Sequence, residues 1–261
     1  FLILRDSILM VFFVIAGTTD KRKQRNGKVR QNRIAMPSTN GHARATKKIA
    51  ILGYGAEGQA TLKFICHAPA YRGTEIWILD KNMDLRLPRG VKSILGERYL
   101  DSLSDFDVIF RTPGVPFLLP QIKRAMRRGS VVSSVTDLFF KKFRGTIIGV
   151  TGTKGKGTTT TLLYRILKRA GKDAHLAGNI GTPALALLPK LNLSGRGKTS
   201  IVILELSSFQ LQDLRRSPQY AVVLGVFPDH QDSHKTMREY VDAKANIAAH
   251  QGGRDTVFFV S

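Results

Sequence analysis

The stretch TIIGVTGTKGKGTTTT, residues 146–161, decides the fold of this chain. Its first residues are mostly apolar, which predicts a buried strand that runs straight into a glycine-rich turn. The residues that follow, 158–171, have the spacing of a helix, with Gly171 as its stop signal. A strand, a glycine loop and a helix in this order bind phosphate, because backbone N–H groups and the helix dipole converge on the anion.

This loop departs from the usual P-loop in two places. The usual form is G-x-x-x-x-G-K followed by Ser or Thr, whose hydroxyl ligates the magnesium ion of a bound nucleotide. Here Val150 stands at the first glycine position, and Gly157 follows Lys156 directly. The shorter core GTKGK remains, so Lys156 is expected to reach the β- and γ-phosphate oxygens. The question is which hydroxyl then serves the magnesium ion.

The overall composition describes a folded chain with a strong positive charge. The 261 residues are 43% apolar, enough for one large or two ordinary domains. A single cysteine, Cys66, excludes an internal disulfide framework and favours a reducing compartment, so a cytoplasmic location is expected. The net charge of +22 is spread along the chain without a nucleic-acid-binding signature. No specific nucleic acid is therefore expected as a partner.

Residues 1–46 differ from the rest of the chain. Their unbroken apolar run, residues 8–17, is too short to span a bilayer. A signal peptide has its basic residues before the apolar run, whereas here the basic segment DKRKQRNGKVRQNR follows it. We expect a disordered or non-native extension and no membrane partner, with a signal anchor as the alternative.

From residue 47 onward, strand-like runs alternate with helical stretches, the pattern of parallel sheets covered by helices. Residues 47–145 predict a Rossmann-like parallel-sheet domain, in which SVVSSVTD, residues 130–137, is a strand. Residues 146–261 predict a P-loop-type α/β ATPase domain, with a helix over residues 235–250. This second domain is expected to be incomplete, because the chain stops on a strand.

The first domain has a glycine loop of its own. GYGAEG, residues 53–58, matches the dinucleotide fingerprint G-x-G-x-x-G, and Asp80 ends the next strand 22 residues after Gly58. A dehydrogenase is one hypothesis, but the second phosphate loop follows too soon for a complete six-stranded NAD domain. A nucleotide-diphosphate substrate would use the same loop physics. Asp80 could then accept hydrogen bonds from a ribose or a uracil.

Three polar residues follow the second loop. Glu205 ends the apolar strand IVILE, at the sheet edge where ligands bind, and a carboxylate is a hard ligand suited to magnesium. His230, in PDHQDSH, comes after the next strand and could point into the same crevice. Lys244 lies 14 residues later on a helix, where a lysine is ordinarily a solvated charge. Taken singly, Glu205 could be a cap or salt-bridge partner, and His230 could be structural.

Taken together, the motifs GTKGKGTT, GNIG, ELSSFQL, DHQDSH and a later Ala-Lys pair resemble the Mur ligases in order and approximate spacing, over residues 47–261. ELSSFQL resembles the signature motif of the family member that adds D-glutamate to UDP-N-acetylmuramoyl-L-alanine. The resemblance implies an ATP-dependent, amide-forming ligase of peptidoglycan precursor synthesis, acting on these two small molecules, and we expect a monomer. The resemblance stops before the family's third domain, so we expect a fragment that binds nucleotide weakly and shows no ligase turnover.

The resemblance also implies roles for individual residues. The catalytic residues would be Lys156, Glu205, His230 and Lys244, the last as a carbamate formed with carbon dioxide. The ATP-binding residues would be Gly152, Thr153, Lys154, Gly155, Lys156, Gly157, Thr158 and Thr159. Two magnesium ions would be held by Thr158, Glu205, His230 and Lys244, with Thr158 supplying the displaced hydroxyl. The muramoyl substrate and its uridine diphosphate would contact Gly55, Asp80, Thr112, Pro113, Gly114, Asn179, Ser207 and Gln210.

Other readings stay open. Another ligase of the same superfamily is one of them, and folylpolyglutamate synthase also places a glycine after the loop lysine. It lacks ELSSFQL, however, and has no need of the GYGAEG domain. From other classes of protein, residues 47–145 could form a plain dinucleotide-binding module, or the positive charge could make the chain a polyanion-binding protein.

Overall fold

The computed structural model contains two five-stranded parallel β-sheets. It describes residues 46–179, 181–193, 199–228 and 236–259. The predicted extension, apart from Thr46, lies outside the described residues.

The first sheet is built from β1 (Lys48–Leu52), β2 (Glu75–Asp80), β3 (Lys92–Leu95), β4 (Val108–Arg111) and β5 (Val131–Ser134). Their order across the sheet is β3-β2-β1-β4-β5. The helices of this part are α1 (Ala56–His67), α2 (Pro120–Arg127) and α3 (Val135–Lys142). Short 3₁₀ turns lie at Pro69–Tyr71 and Leu103–Asp105.

The second sheet is built from β6 (Thr146–Thr151), β7 (Ala174–Gly178), β8 (Ile201–Glu205), β9 (Tyr220–Val223) and β10 (Thr256–Phe259). Their order is β10-β9-β6-β8-β7. Its helices are α4 (Lys156–Arg169), α5 (Ala184–Leu193), α6 (Ser208–Leu211) and α7 (Met237–Ala245). The predicted architecture, a Rossmann-like sheet followed by a P-loop-type α/β sheet, is confirmed.

The distribution of apolar residues explains these elements. β1 and β8 are apolar along almost their whole length and buried at nearly every position, as expected for strands covered on both faces. A helix such as α2 is instead apolar on one side only. Its Ile122 and Ala125 are buried, whereas Arg124 and Arg127 are exposed.

The two sheets share one hydrophobic core. Helix α5 packs against both α1 and α3, so it joins the two parts of the chain. One continuous cluster of buried side chains includes Ile51 of β1, Phe139 of α3, Leu188 of α5 and Val202 of β8. Apolar burial of this kind is the main contribution to stability.

Two predicted elements differ from the observed ones. The strand predicted over SVVSSVTD ends at Ser134, and α3 begins at the next residue. The reason is a helix cap, because the Ser134 hydroxyl accepts a hydrogen bond from the Asp137 N–H at 3.0 Å. The helix predicted over residues 235–250 is regular only as far as Ala245.

The carboxyl ends of β1 and β6 lead into the two glycine loops. β1 lies between β2 and β4, and β6 lies between β8 and β9, so the chain departs from each central strand in both directions. Open parallel sheets bind ligands in the crevice at such points. Among the described helices, none combines the length and the apolar character needed to cross a membrane.

Candidate functional site

A cavity of about 520 Å³ lies at the carboxyl edge of the first sheet and reaches residues of the second. Six residues that were predicted from the sequence to contact the substrate line it: Gly55, Asp80, Thr112, Pro113, Gly114 and Asn179. The volume is in the range of small-molecule sites. The structure thus brings together residues that are as far apart in the chain as the first glycine loop and β7.

The floor of the cavity is formed by two turns that touch each other. Gly53, with φ +91°, leaves no room for a side chain, because an added Cβ would collide with the Thr112 hydroxyl. Thr112 is held in turn by Leu52, whose carbonyl accepts hydrogen bonds from the Thr112 N–H at 3.0 Å and from its hydroxyl at 2.9 Å. The glycine loop and the TPG turn therefore form one rigid unit.

Asp80 fastens the glycine loop to the end of β2. Its carboxylate accepts hydrogen bonds from the backbone N–H groups of Tyr54, at 2.7 Å, and Asn82, at 2.9 Å. Each carboxylate oxygen has a second lone pair, so the side chain keeps acceptor capacity on the cavity side. Its predicted contact with a ribose or uracil stays a prediction.

The second glycine loop has the geometry of a phosphate site. Helix α4 begins at Lys156 after Gly155, which has φ +83°. The N–H groups of the first turn have no acceptor within the helix. The Lys156 ammonium donates to the carbonyl oxygens of Gly152, at 3.0 Å, and Thr153, at 2.9 Å. A phosphate bound here would offer this ammonium a stronger, anionic acceptor.

The threonines after the lysine differ in their surroundings. Thr158 is exposed, whereas Thr159 is buried. The buried Thr160 hydroxyl donates to the backbone carbonyls of Lys156, at 3.0 Å, and Gly157, at 3.1 Å. Of the three, only Thr158 is exposed, and its predicted role as a magnesium ligand stays a prediction.

Thr153 has a structural part in the loop. Its hydroxyl accepts the Phe227 N–H at 2.9 Å and lies 3.1 Å from the Tyr240 hydroxyl, while its own N–H donates to the Gly225 carbonyl at 2.9 Å. The loop is thereby tied to the segment after β9 and to α7. The predicted contact of Thr153 with ATP stays a prediction, since these polar atoms already have partners.

Glu205 provides the strongest observation for a metal ion. Its side chain is buried, and Oε1 accepts the Asn179 amide N–H at 3.2 Å. The other carboxylate oxygen, Oε2, is also buried and has no hydrogen-bond donor among the residues that the structure describes. A buried carboxylate oxygen without a donor is costly. A hard cation such as magnesium would compensate this oxygen. Glu205 is therefore suited to hold a magnesium ion.

Lys244 is buried beside the phosphate loop. Its ammonium donates to the Gly152 carbonyl at 2.9 Å, the same oxygen that Lys156 uses, and lies 4.5 Å from the centre of the Tyr240 ring. It is thus not the solvated charge that its local sequence suggests. The remaining predicted metal ligand, His230, lies outside the described residues.

Ser207 and Gln210 form a capping box at the start of α6. The Ser207 hydroxyl accepts the Gln210 N–H at 3.3 Å, and the Gln210 side-chain oxygen accepts the Ser207 N–H at 3.0 Å. The sequence carries the signal for this arrangement, since Ser and Gln three residues apart are a capping-box pattern. Neither residue is in the lining of the cavity, and their predicted substrate contact stays a prediction.

Glu57 is a site residue that sequence reasoning missed. It lies inside GYGAEG, lines the cavity, and accepts the Gln210 side-chain N–H at 2.8 Å. Burial raises the pKa of the Glu57 carboxyl above its usual value, although the Gln210 hydrogen bond and the charge of Arg111 lower it in part. Its Oε2 is buried and lacks a donor within the described ranges.

Arg111 is a second residue that was not predicted from the sequence to support the site. It ends β4, directly before the TPG turn, and its side chain is fully buried. It forms a bidentate pair with Asp213, with nitrogen-to-oxygen distances of 3.0 and 2.6 Å. The available signal was an arginine at the end of an otherwise apolar strand, because a buried guanidinium requires a partner.

The comparisons with known proteins agree with the motifs. Residues 150–260 match the family model described as the Mur ligase middle domain. Over 218 residues the chain is 41% identical to UDP-N-acetylmuramoylalanine--D-glutamate ligase from Acetivibrio thermocellus, a match that covers 80% of this chain and 45% of that protein. The protein of the same name from Symbiobacterium thermophilum is 39% identical over 217 residues, with 80% and 46% covered. The chain therefore spans about half the length of the curated relatives it matches.

Among solved structures, the chain is similar to UDP-N-acetylmuramate:L-alanyl-gamma-D-glutamyl-meso-diaminopimelate ligase from Neisseria meningitides. It is 19% identical to this chain, with a TM-score of 0.49, and the match covers 82% of this chain and 71% of the solved one.

Proposed function

We propose that this chain, whose residues 150–260 match the Mur ligase middle domain, is a Mur ligase and supplies the substrate-binding and ATP-binding parts of an ATP-dependent ligase. The reaction would join D-glutamate to UDP-N-acetylmuramoyl-L-alanine, in line with the names of its relatives. We also propose that it acts in the cytoplasm, as a monomer, on these small-molecule substrates.

The observation that carries the proposal is the contact between Asn179 and Glu205. Asn179 lines the cavity of the first glycine loop, and its amide holds the carboxylate that ends β8. The cavity for the uridine diphosphate end and the candidate metal ligand are therefore one hydrogen bond apart. A ligase of this kind needs that proximity, because the acyl end of one substrate must meet the γ-phosphate of the other.

The proposed reaction has two steps. A carboxylate oxygen of UDP-N-acetylmuramoyl-L-alanine attacks the γ-phosphorus of ATP, and the bond from that phosphorus to the β–γ bridging oxygen breaks, releasing ADP. The amine of D-glutamate then attacks the acyl carbon, an amide forms, and phosphate leaves while the amine loses a proton. The first step brings two anions together, which is the main electrostatic obstacle in phosphoryl transfer.

The residues of the second loop would reduce this obstacle. Lys156 would exchange the carbonyls of its own loop for phosphate oxygens, and the first-turn N–H groups of α4 would face the same anion. Magnesium, held by Thr158 and Glu205, would offset the remaining charge. A second magnesium ion would be held by His230 and by Lys244 as a carbamate, whose anionic oxygens replace the ammonium.

Calorimetric titration of the 261-residue chain tests this proposal. We expect binding of UDP-N-acetylmuramoyl-L-alanine at the first loop and weak binding of Mg-ATP at the second, with no binding of NADH. Tighter binding of NADH than of the uridine nucleotide would identify a dinucleotide-binding module instead. Affinity for DNA with a steep salt dependence would favour a polyanion-binding protein.

A further inference from the structure

The Arg111 guanidinium contacts both parts of the chain. Besides the Asp213 carboxylate, it reaches three backbone carbonyls, and it lies 5.7 Å from the centre of the Phe117 ring. The side chain is 0% exposed and that of Asp213 is 5% exposed. All of these bonds are therefore shielded from water.

One side of the guanidinium supports the TPG turn. Nη1 donates to the Val115 carbonyl at 2.7 Å and to the Thr112 carbonyl at 3.3 Å. Thr112 and Val115 line the cavity and close this turn through the Val115 N–H, which donates to the Thr112 carbonyl at 3.2 Å. Arg111 is itself not in the lining of the cavity, so it holds the turn without facing the cavity.

The other side of the guanidinium reaches the segment after Glu205. Nη2 donates to the Phe209 carbonyl at 2.9 Å, and Nη2 and Nε bind the two oxygens of Asp213. Phe209 belongs to α6, whose cap Ser207 lies two residues beyond Glu205. The same side chain is therefore bonded to the cavity turn and to the helix that follows the candidate metal ligand.

A buried ion pair of this kind is a poor source of net stability. Removing two charges from water costs about as much as their attraction returns, and apolar replacements of both partners are often neutral. What an apolar pair lacks is direction, since a guanidinium donates along a fixed planar fork. The distinctive contribution of Arg111 is therefore geometric.

We propose that Arg111 is a positioning residue that holds the Thr112–Val115 turn and helix α6 in one fixed arrangement, so that a uridine-diphosphate ligand in the cavity is aligned with the phosphate loop. This inference rests on the proposed function. It concerns the first loop and not the second, because the phosphate loop is braced separately through Thr153.

The test compares variants of the whole 261-residue chain. R111M/D213L removes both charges. R111K keeps the positive charge but lacks the planar guanidinium that donates in two fixed directions. R216M is the matched control, because Arg216 also links the two parts of the chain, through Asp137 at 3.4 Å, but does not touch the cavity turn. Thermal unfolding is measured for each variant, together with calorimetric affinities for UDP-N-acetylmuramoyl-L-alanine and Mg-ADP.

We expect R111M/D213L to fold but to unfold at a somewhat lower temperature than the wild type, because three backbone carbonyls lose a donor. It should bind UDP-N-acetylmuramoyl-L-alanine about tenfold more weakly, since small misplacements of a binding group are costly. R111K should show the same loss, whereas R216M should bind like the wild type. Mg-ADP affinity should stay within about twofold in every variant.

Three results would overturn the inference. If R111M/D213L binds the uridine ligand as tightly as the wild type, the fork has no positioning role. If both affinities fall together, or if R111M/D213L and R111K both fail to fold, the pair contributes to stability alone. Failure of the wild type itself to bind UDP-N-acetylmuramoyl-L-alanine is a separate result, which contradicts the proposed function and removes the basis of this inference.

Discussion

The two glycine loops share a backbone design but carry opposite charges. Each follows a central strand and opens a helix, yet the first turn of α1 contains Glu57 and that of α4 begins with Lys156. Glu57 is tied to Gln210 of the second part of the chain, whereas Lys156 is tied to carbonyls of its own loop. A lysine suits the dense charge of a triphosphate. Glu57, as an acid, would not bind a diphosphate directly; it links the first loop to the second part of the chain.

The largest effect is expected from breaking the first loop with Gly58→Ala. A Cβ at Gly58 would collide with the Gly53 carbonyl, and backbone cannot move aside as a flexible side chain can. We expect a loss of roughly 2–3 kcal/mol in the free energy of unfolding, measured with urea. Gly253→Ala, which adds a Cβ in open space, is the control. Equal stability of the two variants would contradict the close approach of Gly58 in α1 to the Gly53 carbonyl.

Removing the charge of the second loop with Lys156→Met should weaken Mg-ATP binding by roughly 10- to 100-fold, the cost of a hydrogen bond to a charged group. Binding of UDP-N-acetylmuramoyl-L-alanine should be unchanged, because Lys156 is not in the lining of the first cavity. Lys168→Met removes the same charge from the exposed end of α4 and should leave both affinities unchanged. Unaltered Mg-ATP affinity in Lys156→Met would refute the assignment of this loop.

We propose that Thr158 supplies the magnesium-binding hydroxyl one position later than in the usual P-loop. Comparing Thr158→Ala with Thr159→Ala tests this assignment. We expect the first change to weaken ATP binding about tenfold when magnesium is present and to have no effect in EDTA, as for a lost metal ligand. Thr159 is buried, so its replacement should lower the thermal unfolding temperature instead. Equal, small losses of Mg-ATP affinity in both variants would exclude Thr158 as the ligand.

The smallest effect is expected from Glu57→Gln, as a dependence of stability on pH. Because burial raises the pKa of Glu57 in the folded chain, its ionised form is disfavoured there, and stability falls as pH rises through the folded pKa. Glutamine cannot ionise and keeps an acceptor for Gln210. The variant should match the wild type below the unfolded pKa and be more stable above the folded one. The measurement is the free energy of unfolding in urea from acidic to neutral pH. If this free energy depends on pH in the same way in both proteins, the prediction is contradicted.

Most of the fold and part of the site could be predicted because their signals are local. Apolar strands, the two glycine loops and their helices follow from residue types at fixed spacing. Since carboxyl ends of parallel strands share one edge, Asp80 could be placed near the first glycine loop without coordinates. Asn179 was predicted from the resemblance of GNIG to the family's motif and not from strand positions. Local spacing did not separate a substrate contact from a capping box at Ser207. It also did not reveal where SVVSSVTD changes from strand to helix.

The remaining site features depend on partners that are distant in the chain. Arg111 and Asp213 are 102 residues apart, Glu57 and Gln210 are 153 apart, and Lys244 meets the Gly152 carbonyl across 92. No spacing rule specifies such pairs: the first two form where the two parts of the chain pack together, and the third forms where α7 packs against the second glycine loop. The chain's sequence was thus sufficient for most of the elements and for both loops. Which buried charges meet, and hence how the two loops are coupled, was decided by tertiary packing, since a charge taken out of water must find its partner wherever the fold places one.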